Sequence, residues 1–322
     1  MMIRIVQITL FFLYTTGLCA QINISLNHVP NTPELFETSV ISTGVSERDF
    51  ALSPDETELF YTIQTPKGIF QTIVYSIKDS NGTWTPPEIA PFAGHYSDLE
   101  PTFSSDGTKL YFSSNRPTEG TQLKDFDIWM VEKVHGKWGE PKNIGSPVNT
   151  DADEFYPSIT KSGNLYFTAA YKNAIGKEDI YVSKWENGKY LEPIPLNANI
   201  NSTTYEFNAF VSPEEDIIIF TSYGRNDDKG RGDLYMSIKD DLGNWIPAKH
   251  LELVNSNNLD YCPFVSFDKK KLFFTSERLN IKDSFVEEPT NKTDLINSIN
   301  GPQNGGGDIY WISFDDILKQ FK

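Results

Sequence analysis

Short runs of β-prone and aromatic residues, separated by Ser, Asp and Gly turns, recur along this chain. The stretch from Asp98 to Arg116, DLEPTFSSDGTKLYFSSNR, shows the unit: a run at Pro101 to Ser104, a Ser-Ser-Asp-Gly turn at Ser104 to Gly107, and an aromatic-rich return at Leu110 to Ser113. That is a hairpin. Near-copies start at Glu47, Glu154, Glu206 and Asp260, and their second runs begin at Leu59, Leu110, Leu165, Ile218 and Leu272, spaced by 51, 55, 53 and 54 residues. A period of this size marks a modular array.

Each hairpin is followed by a third run, which opens with Asp at Asp127, Asp179, Asp233 and Asp308; the first copy has IVYSI from Ile73 and lacks the Asp. A fourth element reads Gly-x-aromatic and then Pro: Gly82, Trp84 and Pro86; Gly136, Trp138 and Pro141; Gly188, Tyr190 and Pro193; Gly243, Trp245 and Pro247. Four antiparallel strands per unit describe a propeller blade, so the fold class expected is all-β. The fifth unit stops after its third strand near Phe314, while PELFETSVIST, residues 33 to 43, stands as a surplus strand before the first unit. The expectation is therefore a five-bladed β-propeller, closed by the N-terminal strand completing the last blade, which hides both edges. The blades lie near 47–90, 98–145, 154–196, 206–253 and 260–314 plus 33–43. A six-bladed ring is the alternative, with few residues left to build it.

The turns Ser53-Pro54-Asp55, Ser104-Ser105-Asp106-Gly107 and Ser212-Pro213-Glu214, each followed by an apolar-aromatic strand and, later in most units, by Asp-Ile-Tyr or a variant of it, resemble the TolB-type β-propeller repeat, a WD-like repeat of secreted bacterial proteins. The resemblance spans roughly Glu47 to Phe314 and implies the fold. It says little about function, because such repeats serve binding scaffolds, peptidase-attached domains and some lyases. The chain departs from TolB in having no N-terminal domain before the propeller and in its longer blades.

Residues 1–20, with one Arg and an apolar run from Ile5 to Tyr14, read as a cleaved signal peptide, leaving a single domain over 21–322 that is secreted or periplasmic. Lipoprotein anchoring at Cys19 is the lesser alternative, since Leu18 is bulky. No membrane span is expected. Cys262 is then the one remaining thiol, read as a small buried residue beside Pro263, and no internal disulfide can form. A formal charge of −16 argues against nucleic acid as partner. A protein, peptide or glycan of the cell envelope or exterior is the partner expected, for a monomer. No pattern points to a metal, a cofactor or a catalytic set: His28, His95, His135 and His250 lack ligand spacing.

Three residues before the Pro101 position every copy has an acid: Glu47, Asp98, Glu154, Glu206 and Asp260. At the end of the second strand three copies place an Arg: Arg116, Arg225 and Arg278. With the first strand innermost, acids and arginines meet on one rim of the channel. A residue present in every unit usually serves the unit, so these carboxylates are expected to hold loops and pair with Arg; as a ligand or partner rim they would offer an acidic ring. The Trp of the Gly-x-Trp segments reads as blade packing before sugar stacking. What breaks the repeat is more telling: Leu272 to Asp308 spans 36 residues against 17, 14 and 15 in blades 2 to 4, so a long loop, 277–307, projects from the rim and ends in a Gly run that suits a mobile flap. Two functions follow as expectations. One is a non-catalytic binding or scaffold propeller engaging its partner on that rim; the other is a carbohydrate-active enzyme, hydrolase or lyase, using carboxylates at the central pocket.

Overall fold

The computed structural model describes residues 22–282, 284 and 288–321. Five four-stranded antiparallel blades close into a ring. Blade 1 is Ser46–Leu52, Glu58–Gln64, Gln71–Ile77 and Glu88–Ile89; blade 2 is Asp98–Phe103, Lys109–Ser114, Asp127–Val134 and Lys142–Asn143. Blade 3 is Glu154–Ile159, Leu165–Ala169, Asp179–Ser183 and Ile194–Pro195, and blade 4 is Tyr205–Val211, Ile217–Tyr223, Asp233–Ile238 and Lys249–His250. Blade 5 is Asp260–Val265, Lys271–Ser276 and Asp308–Ser313, completed by Glu34–Leu35, which pairs Leu35 with Tyr310. The first strands touch one another round the ring and line the channel. The Gly-x-Trp segments lie in the turn between third and fourth strands, and each fourth strand is only two residues long.

The second strands carry the core because both their faces are covered. Tyr61, Phe112, Phe167, Phe220 and Phe274, at one repeat position, are buried, as are Leu59, Leu110, Leu165, Ile218 and Leu272 at another. Closure rests on Phe36, which follows the N-terminal strand: it is fully buried, edge-on to Phe50, Phe273 and Trp311 at 5.2, 5.1 and 5.2 Å, and its N–H donates to the Ile309 carbonyl.

The long loop of blade 5 differs from expectation. It carries a helix, Lys292–Asn300, capped by the Asn291 side chain, which accepts from the Asp294 N–H. The Gly run after it is anchored: Gly307 O accepts from the Glu47 N–H at 2.8 Å and Asn304 Nδ2 donates to Gly44 O at 3.1 Å. A Cβ on Gly307 would stand 3.0 Å from Glu47 O, so glycine serves close approach of two backbones rather than a hinge.

Candidate functional site

The repeated acids are buried to the last few per cent and face the loop that precedes each first strand. Glu47 accepts from the Thr43 hydroxyl and N–H, Glu154 from those of Thr150, Glu206 from those of Ser202, and Asp260 from those of Ser256. In three blades the arginine meets its acid: Arg116 to Asp98 at 2.5 Å, Arg225 to Glu206 at 3.0 Å and Arg278 to Asp260 at 3.6 Å. Each also donates to a carbonyl of the same loop, Phe92, Ile200 or Val254. Blades 1 and 3 have no Arg there. Glu154 takes the Tyr171 hydroxyl instead, and burial pushes its carboxyl up to about 7 and that of Glu47 up to about 8. The eight predicted rim residues thus meet blade by blade, in five separate clusters, each acid on the loop before its own first strand or on its own blade's arginine.

The channel itself is lined two residues further on. Every first strand carries a bulge, and its left-handed residue is Asp49 (φ 61°), Glu100 (61°), Tyr156 (51°), Asn208 (49°) or Cys262 (52°). Non-glycine residues reach this conformation at a cost of about 1 kcal/mol or more. The backbone is held there from the preceding blade: the Asp49 N–H donates to Thr275 Oγ1, that of Glu100 to Thr62 Oγ1, that of Asn208 to Thr168 Oγ1, and that of Tyr156 to Glu100 Oε2 at 2.6 Å. The bulge therefore recurs while its side chain changes from blade to blade.

These five residues and Arg48 form one buried polar network. Arg48 donates to Asp49 Oδ1 at 2.8 Å and Glu100 Oε1 at 3.0 Å, lies 5.2 Å from the Tyr261 ring and approaches Cys262 Sγ at 3.5 Å. Glu100 also accepts from Ser113 Oγ and Asn208 Nδ2. Burial pushes the Glu100 carboxyl up, against the pull of Arg48 and with the help of Asp49; burial likewise pushes the Cys262 thiol up. Beneath the network Phe50, Phe210 and Phe264 fill the channel and leave a void of about 10 Å³.

Above it the mouth opens as a blind cup of about 320 Å³. Its walls are Leu99, Phe126, Phe155, Phe207, Leu259 and Tyr261; Arg48, Glu100 and Asn208 make the floor, with Gln71, Thr168 and Glu178 at the side. Phe155, Phe207 and Tyr261 occupy the position after the repeated acid, whereas Phe126 and Glu178 stand just before the Asp that opens a third strand. Two groups here are uncommitted among the described residues. Gln71 Oε1 is buried without a hydrogen-bond partner, and the half-buried Glu178 carboxyl makes no hydrogen bond or ion pair, with burial, aided by Asp153, pushing it up to about 7. A blind cup with aromatic walls, a charged floor and a free acceptor is built to hold a polar ligand with an apolar face. Sequence reasoning missed these residues because it compared what the copies share; the signal lay in the columns one and two places after each acid, where Arg-Asp, Leu-Glu, Phe-Tyr, Phe-Asn and Tyr-Cys differ.

No family model matches the chain, and no curated protein matches it in sequence. Solved structures match it in fold. TolB from Agrobacterium tumefaciens is 14% identical with a TM-score of 0.49, covering 89% of this chain and 99% of its own. TolB from Acinetobacter baumannii is 14% identical with a TM-score of 0.46, over 83% of this chain; the chain spans about half of it, 54%. A family 117 glycoside hydrolase from the marine bacterium Zobellia galactanivorans is 15% identical with a TM-score of 0.48, covering 88% of this chain and 90% of its own. The TolB-like resemblance of the turns is met at this level, that of the propeller.

Proposed function

We propose that the protein is a binding propeller that takes a sugar residue of a glycan into the cup at the channel mouth, outside the cytoplasm. The observation that carries this is the cup itself: just above the bulges, which bring five different side chains together, aromatic walls surround a floor of paired charges. Faces of sugar rings stack on aromatic side chains, and their hydroxyls both donate and accept. Glu178 and Gln71 Oε1 would accept from such hydroxyls, and Arg48 would donate to them. Secretion rests on the signal peptide expected over residues 1–20, which, with Cys19, lies outside the described residues; among those that are described, no helix is long and apolar enough to cross a membrane. Titration of defined oligosaccharides into wild type, Phe207→Ala and Gln71→Ala tests the reading. Binding weakened at least tenfold by both variants is expected, and binding indifferent to both would overturn it.

One observation favours a second, enzymatic reading: Glu100 and Glu178 line one cup, both shifted upward, as a general acid requires. Both Glu100 oxygens are already engaged, which favours binding. Release of new reducing ends by wild type, abolished in Glu178→Gln, would establish the enzyme instead.

A further inference from the structure

A cavity larger than the cup lies elsewhere. On the opposite face of the ring, in the seam between blades 2 and 3, a cleft of about 660 Å³ adjoins a second of about 210 Å³. Both are lined by Lys109, Tyr111, Trp185 and Tyr190, so the aromatic pair stands between two compartments of one groove.

The groove exists because blade 3 departs from a packing rule the other complete blades follow. In blade 1 Lys78 pairs across the turn with Trp84, in blade 2 Lys133 with Trp138 and in blade 4 Lys239 with Trp245. In each the ammonium lies over the indole at 4.8 to 4.9 Å. The three indoles fill the seam toward the preceding blade or the closing segment, as Trp138 does against Phe60 and Phe103. In blade 3 the pair is Trp185 with Tyr190, held by an Asn187-Gly188 turn with both residues left-handed (φ 52° and 79°). Tyrosine fills less of the seam than tryptophan, and the tryptophan has moved to the place where the other blades put lysine. Trp185 is 42% exposed, its ring in edge-on contact with Tyr190 at 4.7 Å and buttressed from behind by Gly163, where a Cβ would come within 3.0 Å. Exposing an indole has no packing benefit for the blade.

We infer that this groove is a second carbohydrate site, which takes a linear oligosaccharide laid across Trp185. An aromatic platform in the middle with polar groups at both ends suits a chain of sugar rings: Lys189, Glu192 and Ser146 border one compartment, and Asp106, Thr160 and Lys161 the other. The alternation of donors and acceptors matches hydroxyls, and the acids beside the lysines disfavour a polyanion. The groove shares no lining residue with the channel-mouth cup.

The test uses the full chain and a panel of linear hexaoses of cello, xylo, manno, malto and chito type, titrated by calorimetry and by tryptophan emission. Trp185→Lys restores the residue of the other three blades and is expected to fold with the wild-type melting temperature. At least one hexaose should bind wild type, shift its emission, and lose at least tenfold in affinity in Trp185→Lys and in Trp185→Ala, while Phe207→Ala at the channel mouth keeps that component. Absence of binding by every hexaose, or equal binding by wild type and both Trp185 variants, overturns the inference. Loss in Trp185→Lys of a proline-rich peptide rather than a hexaose overturns it in favour of a peptide groove.

Discussion

Glu47 shows how a repeated residue takes its properties from what its own blade lacks. Its counterparts Asp98, Glu206 and Asp260 face an arginine; Glu47 faces Thr43 and Asp308, and burial holds its carboxyl near 8. Because the folded value lies above the ordinary 4.5, the native state keeps a proton that the unfolded chain has released between those limits. Stability from this group is full below about pH 4.5 and is lost as pH rises through 8. Glu154 and Asp308, pushed by burial to about 7 and about 6, act in the same direction. The melting temperature should therefore fall from pH 5 to pH 8, and Glu47→Gln, which keeps the neutral form and its acceptor, should flatten part of that slope. A variant as steep as wild type would show that Glu47 is ionised in the fold. That the acids recur was legible in the sequence. So was their pairing in the three blades that carry an Arg; the raised carboxyls of the two blades without one were not, since they depend on burial and on what else, such as the Tyr171 hydroxyl, reaches the acid.

At the scale of the element, the closing strand was legible because both ends of the chain advertised it: a blade short of one strand and a strand short of a blade. What the strand rests on was less visible. Glu34–Leu35 makes only two ladder pairs, and the adjacent Phe36 supplies the apolar contact with Phe50 of blade 1 and with Phe273 and Trp311 of blade 5. Phe36→Ala should cost about 3–5 kcal/mol in urea unfolding, the range for emptying a buried aromatic site. A loss under about 1 kcal/mol, well short of that range, would mean that the ring is held elsewhere. The loop 277–307 was legible as an irregularity of length, but not as a helix, because a nine-residue segment with no buried face carries no core-facing stripe for a pattern to reveal.

On the scale of the molecule, the polar network in the channel is the place where ring closure can be measured. Arg48 and Asp49 come from blade 1, Glu100 from blade 2, Tyr156 from blade 3, Asn208 from blade 4 and Cys262 from blade 5, so no subset of blades assembles it. The sequence hid it, since a bulge two residues past a repeated acid is invisible to a strand pattern and the residues it carries share no chemistry. Arg48 is the one cation among the six, between two acids that are otherwise alike in charge and buried. Replacing it by Met leaves Asp49 and Glu100 without a counter-charge, which in buried pairs costs about 3–5 kcal/mol. Without the arginine the Glu100 carboxyl should rise further, so the loss should be smaller at pH 5, where it takes up a proton, than at pH 8. Glu100→Gln removes one of the two acids that the arginine must then balance. Combined with Arg48→Met it should lose less stability at pH 8 than the two single losses added together, because the double variant has fewer unmatched charges. Additive losses across that cycle would mean that the two residues, and with them blades 1 and 2, are held in place independently of the channel.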